Sequence, residues 1–127
     1  KMVYTVCIGS NEEREANLAL ARRRLAESFP GIRFSHEEET QPLALRRTAP
    51  FSNQLARFVS DWEQCEVCSR LKAIEREAGR LPGEKEREIV RLDIDLLACD
   101  GLVYKAEDWK RDYVERGVKE LEEMEGG

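Results

Sequence analysis

Arg91-Leu92-Asp93-Ile94-Asp95-Leu96-Leu97 places two acidic residues among aliphatic ones, one residue apart. Successive strand side chains point to opposite faces, so Asp93 and Asp95 project from one side while Leu92, Ile94 and Leu96 project from the other. A sheet built on this strand has one oily face and one acidic face. Two carboxylates held close together repel, and a hard divalent cation such as Mg²⁺, shared with substrate phosphates, keeps both ionised. The pair reads as a phosphoryl-transfer metal site, with a solvated acidic strand as the alternative.

Working outward, Met2 to Ile8 is β-branched and apolar and stops at Gly9, which marks a first strand. Ser10 and Glu13 have capping-box spacing, so a helix is expected from there through Leu18, Ala21 and Leu25 to Pro30-Gly31. Ile32 to Glu37 reads as a second strand and Asn53 to Val59 as a third, with Pro42 and Pro50 between them. Ser60 and Glu63 repeat the capping spacing before a helix carrying Val67, Leu71 and Ile74, ended by Gly79. Residues 80–90 contain Pro82-Gly83 and no clear period, and a mobile loop is expected. After the aspartate strand, Asp100-Gly101 is a tight-turn signal, returning Leu102 to Tyr104 as a hairpin strand. A last helix carries Val114, Val118 and Leu121, and the acidic tail 122–127 is expected to be a solvated or frayed end. This order predicts an α+β sandwich, with helices on one face of an antiparallel sheet and the other face open to a ligand.

The 127 residues suit one domain spanning residues 1–127, with a core that needs no disulfides. A formal charge of −5 disfavours a nucleic-acid partner held by a general field, so a phosphate ligand needs a local basic patch. The sequence contains neither a membrane-length apolar run nor the pattern of a signal peptide, and a cytoplasmic protein is expected, with Met2 as its natural start. Cys7, Cys65, Cys68 and Cys99 are too scattered for a secreted disulfide framework. Cys65 and Cys68 make a Cys-x-x-Cys pair expected inside a helix, away from the first turn where a redox pair gains its lowered thiol pKa. A zinc site would need Cys7, Cys99 or His36 to complete it, and ordinary packing is the simpler reading.

Six short motifs then stand in one order: Ile8-Gly9-Ser10-Asn11, Glu39-Thr40-Gln41-Pro42-Leu43, Phe51-Ser52-Asn53, Ile74-Glu75 with Gly79-Arg80, the aspartate strand, and Arg116-Gly117. Together they resemble the hydroxymethyldihydropterin pyrophosphokinase family, across nearly the whole chain. The resemblance implies a ferredoxin-like fold and transfer of pyrophosphate from ATP to the hydroxymethyl group of a reduced pterin. It implies that Asp93 and Asp95 hold two Mg²⁺ ions against the triphosphate. It also implies that Thr40, Pro42, Leu43, Asn53 and the neighbouring Phe51 form the pterin pocket, while Glu75, Arg80 and the nearby Lys72 serve the nucleotide.

The sequence departs from that family in places. Where family members carry Arg-Trp-Gly-Pro-Arg before the aspartate strand, this chain has Glu86-Arg87-Glu88-Ile89-Val90. Arg87 and Arg91 keep the family's arginine spacing if the register slips by one, and Arg91 shares strand parity with the aspartates. That parity puts its guanidinium beside metal-bound phosphates or in a salt bridge to Asp93. Lys110 and Arg111 lie where a phosphate-binding histidine is expected, and Val118 stands where an aromatic usually stacks on the pterin. The resemblance is therefore to a divergent, shortened member, with ATP and a reduced pterin as its partners and no protein partner indicated. Its alternatives are a non-catalytic pterin- or nucleotide-binding relative and an interaction module whose acidic pair only solubilises a strand.

Overall fold

The computed structural model describes residues 1–126. In chain order they form β1 (Met2–Ser10), α1 (Arg14–Ser28), β2 (Arg33–Phe34), β3 (Glu38–Thr40), β4 (Phe51–Ser60), α2 (Gln64–Ala78), β5 (Asp93–Cys99), β6 (Leu102–Val103), α3 (Ala106–Trp109) and α4 (Asp112–Gly126). The strands make one antiparallel sheet in the order β2-β4-β1-β5-β6, with β3 also paired to β4. With β1 central and α1 and α2 in the crossovers, this is the ferredoxin-like α+β arrangement that the sequence leads one to expect.

Alternation explains the two layers. Tyr4, Val6 and Ile8 of β1, Ala56 and Phe58 of β4, and Leu92, Ile94 and Leu96 at β5 form one apolar surface. Leu18, Ala21 and Leu25 of α1 and Val67, Leu71 and Ile74 of α2 bury it. Phe29 closes this core by stacking on Phe58, with ring centroids 4.0 Å apart. On the other face, Leu55 and Leu97 meet Val114 and Leu121 of α4. The second face is thus covered by α4 in part and open in part. Gly117 permits the approach, because a Cβ there would lie 2.7 Å from Leu55 Cγ.

Local boundaries differ from the sequence expectations where tertiary contacts compete. Ser10 ends β1 rather than capping a helix, and Glu13 precedes α1 in a left-handed conformation with no side-chain cap. The second capping box is real but built from Glu63 and Glu66, while Ser60 closes β4 and accepts the Trp62 N–H. The expected second strand, Ile32 to Glu37, shortens to β2, because Ser35 bonds sideways to Leu55 and His36 to Glu120, and β3 forms beyond it in the segment expected as loop. The last helix divides into α3 and α4. Residues 122–126 continue α4 instead of fraying, and Gly127 lies outside the described residues.

The segment from 80 to 91 is a series of turns tied to the body. Glu84, 1% exposed, accepts three hydrogen bonds from Arg91, and Asn11 bonds to the backbones of Glu88 and Val90. Cys65 is the second residue of α2, so the cysteine pair begins in the first turn, contrary to expectation. All four thiols are free. No helix of the described residues is long and apolar enough to cross a membrane.

Candidate functional site

Strand register builds the floor of the site. Gly9 is paired with Asn53 on one side and Asp93 on the other, and Cys7 with Leu55 and Asp95. Asn53, Gly9 and Asp93 therefore make one row across three strands, and Leu55, Cys7 and Asp95 the next. At the usual strand spacing, Asn53 and Asp93 are roughly 10 Å apart across Gly9. Gly9 leaves that gap open, since an added Cβ would sit 3.4 Å from Asn53 Oδ1. The Asn53 amide is oriented by donating to Thr40 Oγ1 at 2.7 Å.

Over this floor lies a cleft of about 680 Å³. Thr40, Pro42, Leu43, Phe51, Asn53, Asp93, Asp95, Lys110 and Arg111, all singled out from sequence, line it. A smaller cleft of about 310 Å³, between α2 and the outer edge of β5, is lined by Lys72, Cys68, Leu96, Tyr104, Lys105 and Asp95 among others. β6 pairs only with Ala98 and Cys99, so the outer edge of β5 nearer Asp93 has no strand beside it. Glu75 covers part of it by accepting the Ile94 N–H at 2.7 Å, and Lys72 pairs with Glu75 at 3.3 Å.

The electrostatics are those of an overcrowded acidic pair. Burial and then the Glu75 charge push the Asp93 carboxyl above its ordinary value. Burial and then Asp93 do the same to Asp95, against the pull of Lys105. The donor set suits a hard cation: two carboxylates flank the cleft, and Mg²⁺ characteristically takes one or two carboxylates plus phosphate oxygens. Among the described residues no cluster of three or more His, Cys, Asp or Glu could hold a metal alone. The Cys7 thiol and Tyr113 hydroxyl in the same cleft are each pushed up to about 12, chiefly by burial, so neither is an anionic nucleophile at neutral pH.

Other expected site residues fall elsewhere. Arg91 is neither beside a phosphate position nor bridged to Asp93. Its guanidinium is held by Glu84 at 2.7 Å and Glu13 at 2.7 Å, because position 91 precedes the strand and the buried Glu84 claims it. Arg87 is exposed and donates to the Gly83 carbonyl, and Arg80 is exposed beyond α2; neither lines a cleft. Val118 packs against the Leu55 and Leu97 cluster instead of lining the cleft. The cleft-lining residues that the sequence reading did not single out include Tyr113 in the large cleft and Lys105 in the smaller one, whose Nζ lies 3.4 Å from Asp95 Oδ1. Lys105 follows a hairpin turn, and no periodicity pointed to it.

Residues 5–123 match the family model described as 7,8-dihydro-6-hydroxymethylpterin-pyrophosphokinase (HPPK). The chain belongs to the HPPK family. Membership makes it a relative of kinase-type transferases of folate biosynthesis, and the HPPK match begins in β1 and ends in α4. No curated protein matches the chain. Among solved structures, the C-terminal domain of the MgtC protein from Mycobacterium tuberculosis is 7% identical, with a TM-score of 0.46, covering 81% of this chain and 93% of that one. The de novo designed protein Foldit4 is 17% identical, with a TM-score of 0.35, covering 76% of this chain and 96% of that one.

Proposed function

We propose that this HPPK-family chain is a cytoplasmic enzyme that transfers pyrophosphate from ATP to 6-hydroxymethyl-7,8-dihydropterin, releasing AMP. The observation that carries this reading is the register of the floor, which sets Asn53 and Asp93 on either side of Gly9. A bicyclic pterin spans such a gap, with its ring edge at Asn53 and its hydroxymethyl group toward the aspartates. Phe51 supplies an aromatic wall, and Pro42 and Leu43 an apolar one. In the reaction the hydroxymethyl oxygen bonds to the β-phosphorus, the β-phosphorus bond to the α,β-bridging oxygen breaks, and AMP leaves with that oxygen as the hydroxyl proton departs.

Two Mg²⁺ ions held by Asp93 and Asp95 would offset the triphosphate charge and orient it for in-line transfer. The chain's own contribution is positioning. Asn53, held by Thr40, orients the ring; Lys110 and Arg111, which line the same cleft, supply positive charge; Lys72, backed by Glu75, serves the smaller cleft as the nucleotide side. Arg80, Arg87 and Arg91 would join only by reorienting, Arg91 by leaving Glu84.

That sequestration of Arg91 favours a second reading, a non-catalytic relative that binds pterin or nucleotide without turnover. The two are separated by AMP release from ATP and Mg²⁺, with and without the pterin, using Asp95→Asn as control. Pterin-dependent AMP lost in the variant supports the enzyme; a folded wild-type chain that releases none supports the binder.

A further inference from the structure

Among the described residues, Asp95 alone lines both clefts. A ligand long enough to occupy both must cross at this carboxylate. The cation at the crossing is Lys105, which lines the smaller cleft and holds its Nζ 3.4 Å from Asp95 Oδ1. Its backbone is placed by both neighbouring elements. The Asp100-Gly101 turn brings the chain back along β5, Tyr104 N–H donates to the Leu97 carbonyl at 2.8 Å, and Tyr104 hydroxyl donates to Gln64 Oε1 of α2 at 3.0 Å.

Among the described residues, Lys105 is the one cation paired with the shared Asp95; Lys110 lines the larger cleft without an ion pair, and others are engaged elsewhere. Arg91 is enclosed by Glu84 and Glu13, Arg87 bonds within its own turn, Lys72 pairs with Glu75, and Arg111 pairs with Asp108. We propose that Lys105 grips the polyphosphate of the nucleotide where it crosses from the smaller cleft to the larger one, in the place left by the arginines of the 80–91 segment. The proposal rests on the pyrophosphokinase reading for the identity of the ligand as a nucleoside triphosphate. Lysine suits the task, because a compact ammonium on a flexible stem can exchange a carboxylate acceptor for a phosphate oxygen within a short reach. The Asp95 pair is 46% exposed on the lysine side, and an ion pair so exposed is weak enough to be given up.

The test is calorimetric titration of wild type, Lys105→Met and Lys105→Arg with α,β-methylene-ATP plus Mg²⁺, and separately with 6-hydroxymethylpterin. Thermal melts verify folding, and AMP release by wild type is measured alongside. Lys105→Met is expected to weaken nucleotide binding at least tenfold and leave pterin binding within twofold, while Lys105→Arg recovers most of the nucleotide affinity. Unchanged nucleotide affinity in Lys105→Met, or equal losses for both ligands, overturns the assignment. Active wild type with an indifferent Lys105→Met sinks the lysine role alone. Inactive wild type whose nucleotide binding needs Lys105 sinks the catalytic reading and keeps the lysine, and a wild type that binds no nucleotide sinks both.

Discussion

The buried main-chain N–H of Ile94 donates to Glu75 Oε2 at 2.7 Å, so a helix side chain takes the place of a missing strand at the edge of β5. The same carboxylate raises Asp93, the residue before Ile94. One side chain therefore secures the aspartate strand and adds to the effect of burial on its charge. Glu75→Ala leaves the N–H without a partner and is expected to lower stability by about 1–3 kcal/mol in urea unfolding. Glu75→Gln keeps an acceptor and should lose less than half as much; equal losses would remove the hydrogen bond from the explanation.

Asp93 and Asp95 should make stability fall with pH. Their folded values lie above the ordinary aspartate value of 3.8, so the folded chain holds protons that the unfolded chain has released. Stability then declines as pH rises from 3.8 through the raised values, and above them the repulsion is fully expressed. Asp95→Asn relieves it, and the variant is expected to be more stable than wild type at neutral pH, with the difference vanishing in acid. Its pterin-dependent AMP release should fall at least about 100-fold. Mg²⁺ with ATP should raise the wild-type melting temperature and leave that of the variant nearly unmoved.

The opposite sign applies to Glu84. Its hydrogen bonds with Arg91 hold its carboxyl below the usual glutamate value of 4.5. The stabilisation is present above that value and is lost as pH falls through the lowered one. Glu84→Gln should therefore melt lower than wild type at neutral pH and converge with it in acid. Parallel melting curves across the whole range would mean that the pair contributes no charge-dependent stability.

Gly117 and Leu55 bring α4 down on the sheet. The Cβ of Gly117→Ala would meet Leu55 Cγ at 2.7 Å and Cδ2 at 2.8 Å. Overpacking of this kind costs roughly 1–3 kcal/mol, which exceeds the helix-propensity gain of up to about 1 kcal/mol. Net destabilisation is expected in urea. The same substitution in a Leu55→Val background should cost less, and strict additivity would exclude this contact as the cause.

Phe51 lines the large cleft and Val118 does not. Phe51→Ala should weaken pterin binding roughly 3–10-fold, the equivalent of about 0.5–1.5 kcal/mol for aromatic stacking. Val118→Ala should lower stability with little effect on pterin affinity. Fluorescence titration of the pterin against both variants decides whether the ring wall belongs to β4.

By itself the sequence determined what depends on local pattern. Alternation in Met2 to Ile8 and Leu92 to Leu97 specified two buried strands and the side from which both aspartates project, because strand periodicity allows no other arrangement. The motifs around Thr40, Phe51, Asn53 and the aspartates were enough to name several of the residues that line one cleft. Only the tertiary structure decided where the charges go. Arg91 shares the parity of Asp93 on paper, yet the strand begins two residues later and the buried Glu84 takes the guanidinium. Lys105 carries no periodic signal, yet the turn at Asp100-Gly101 folds it onto Asp95. Ser10 and Ser60 have capping spacing, yet strand pairing claims both residues first. Ion pairs and strand ends are settled by neighbours far away in the chain, and only folding brings those neighbours together.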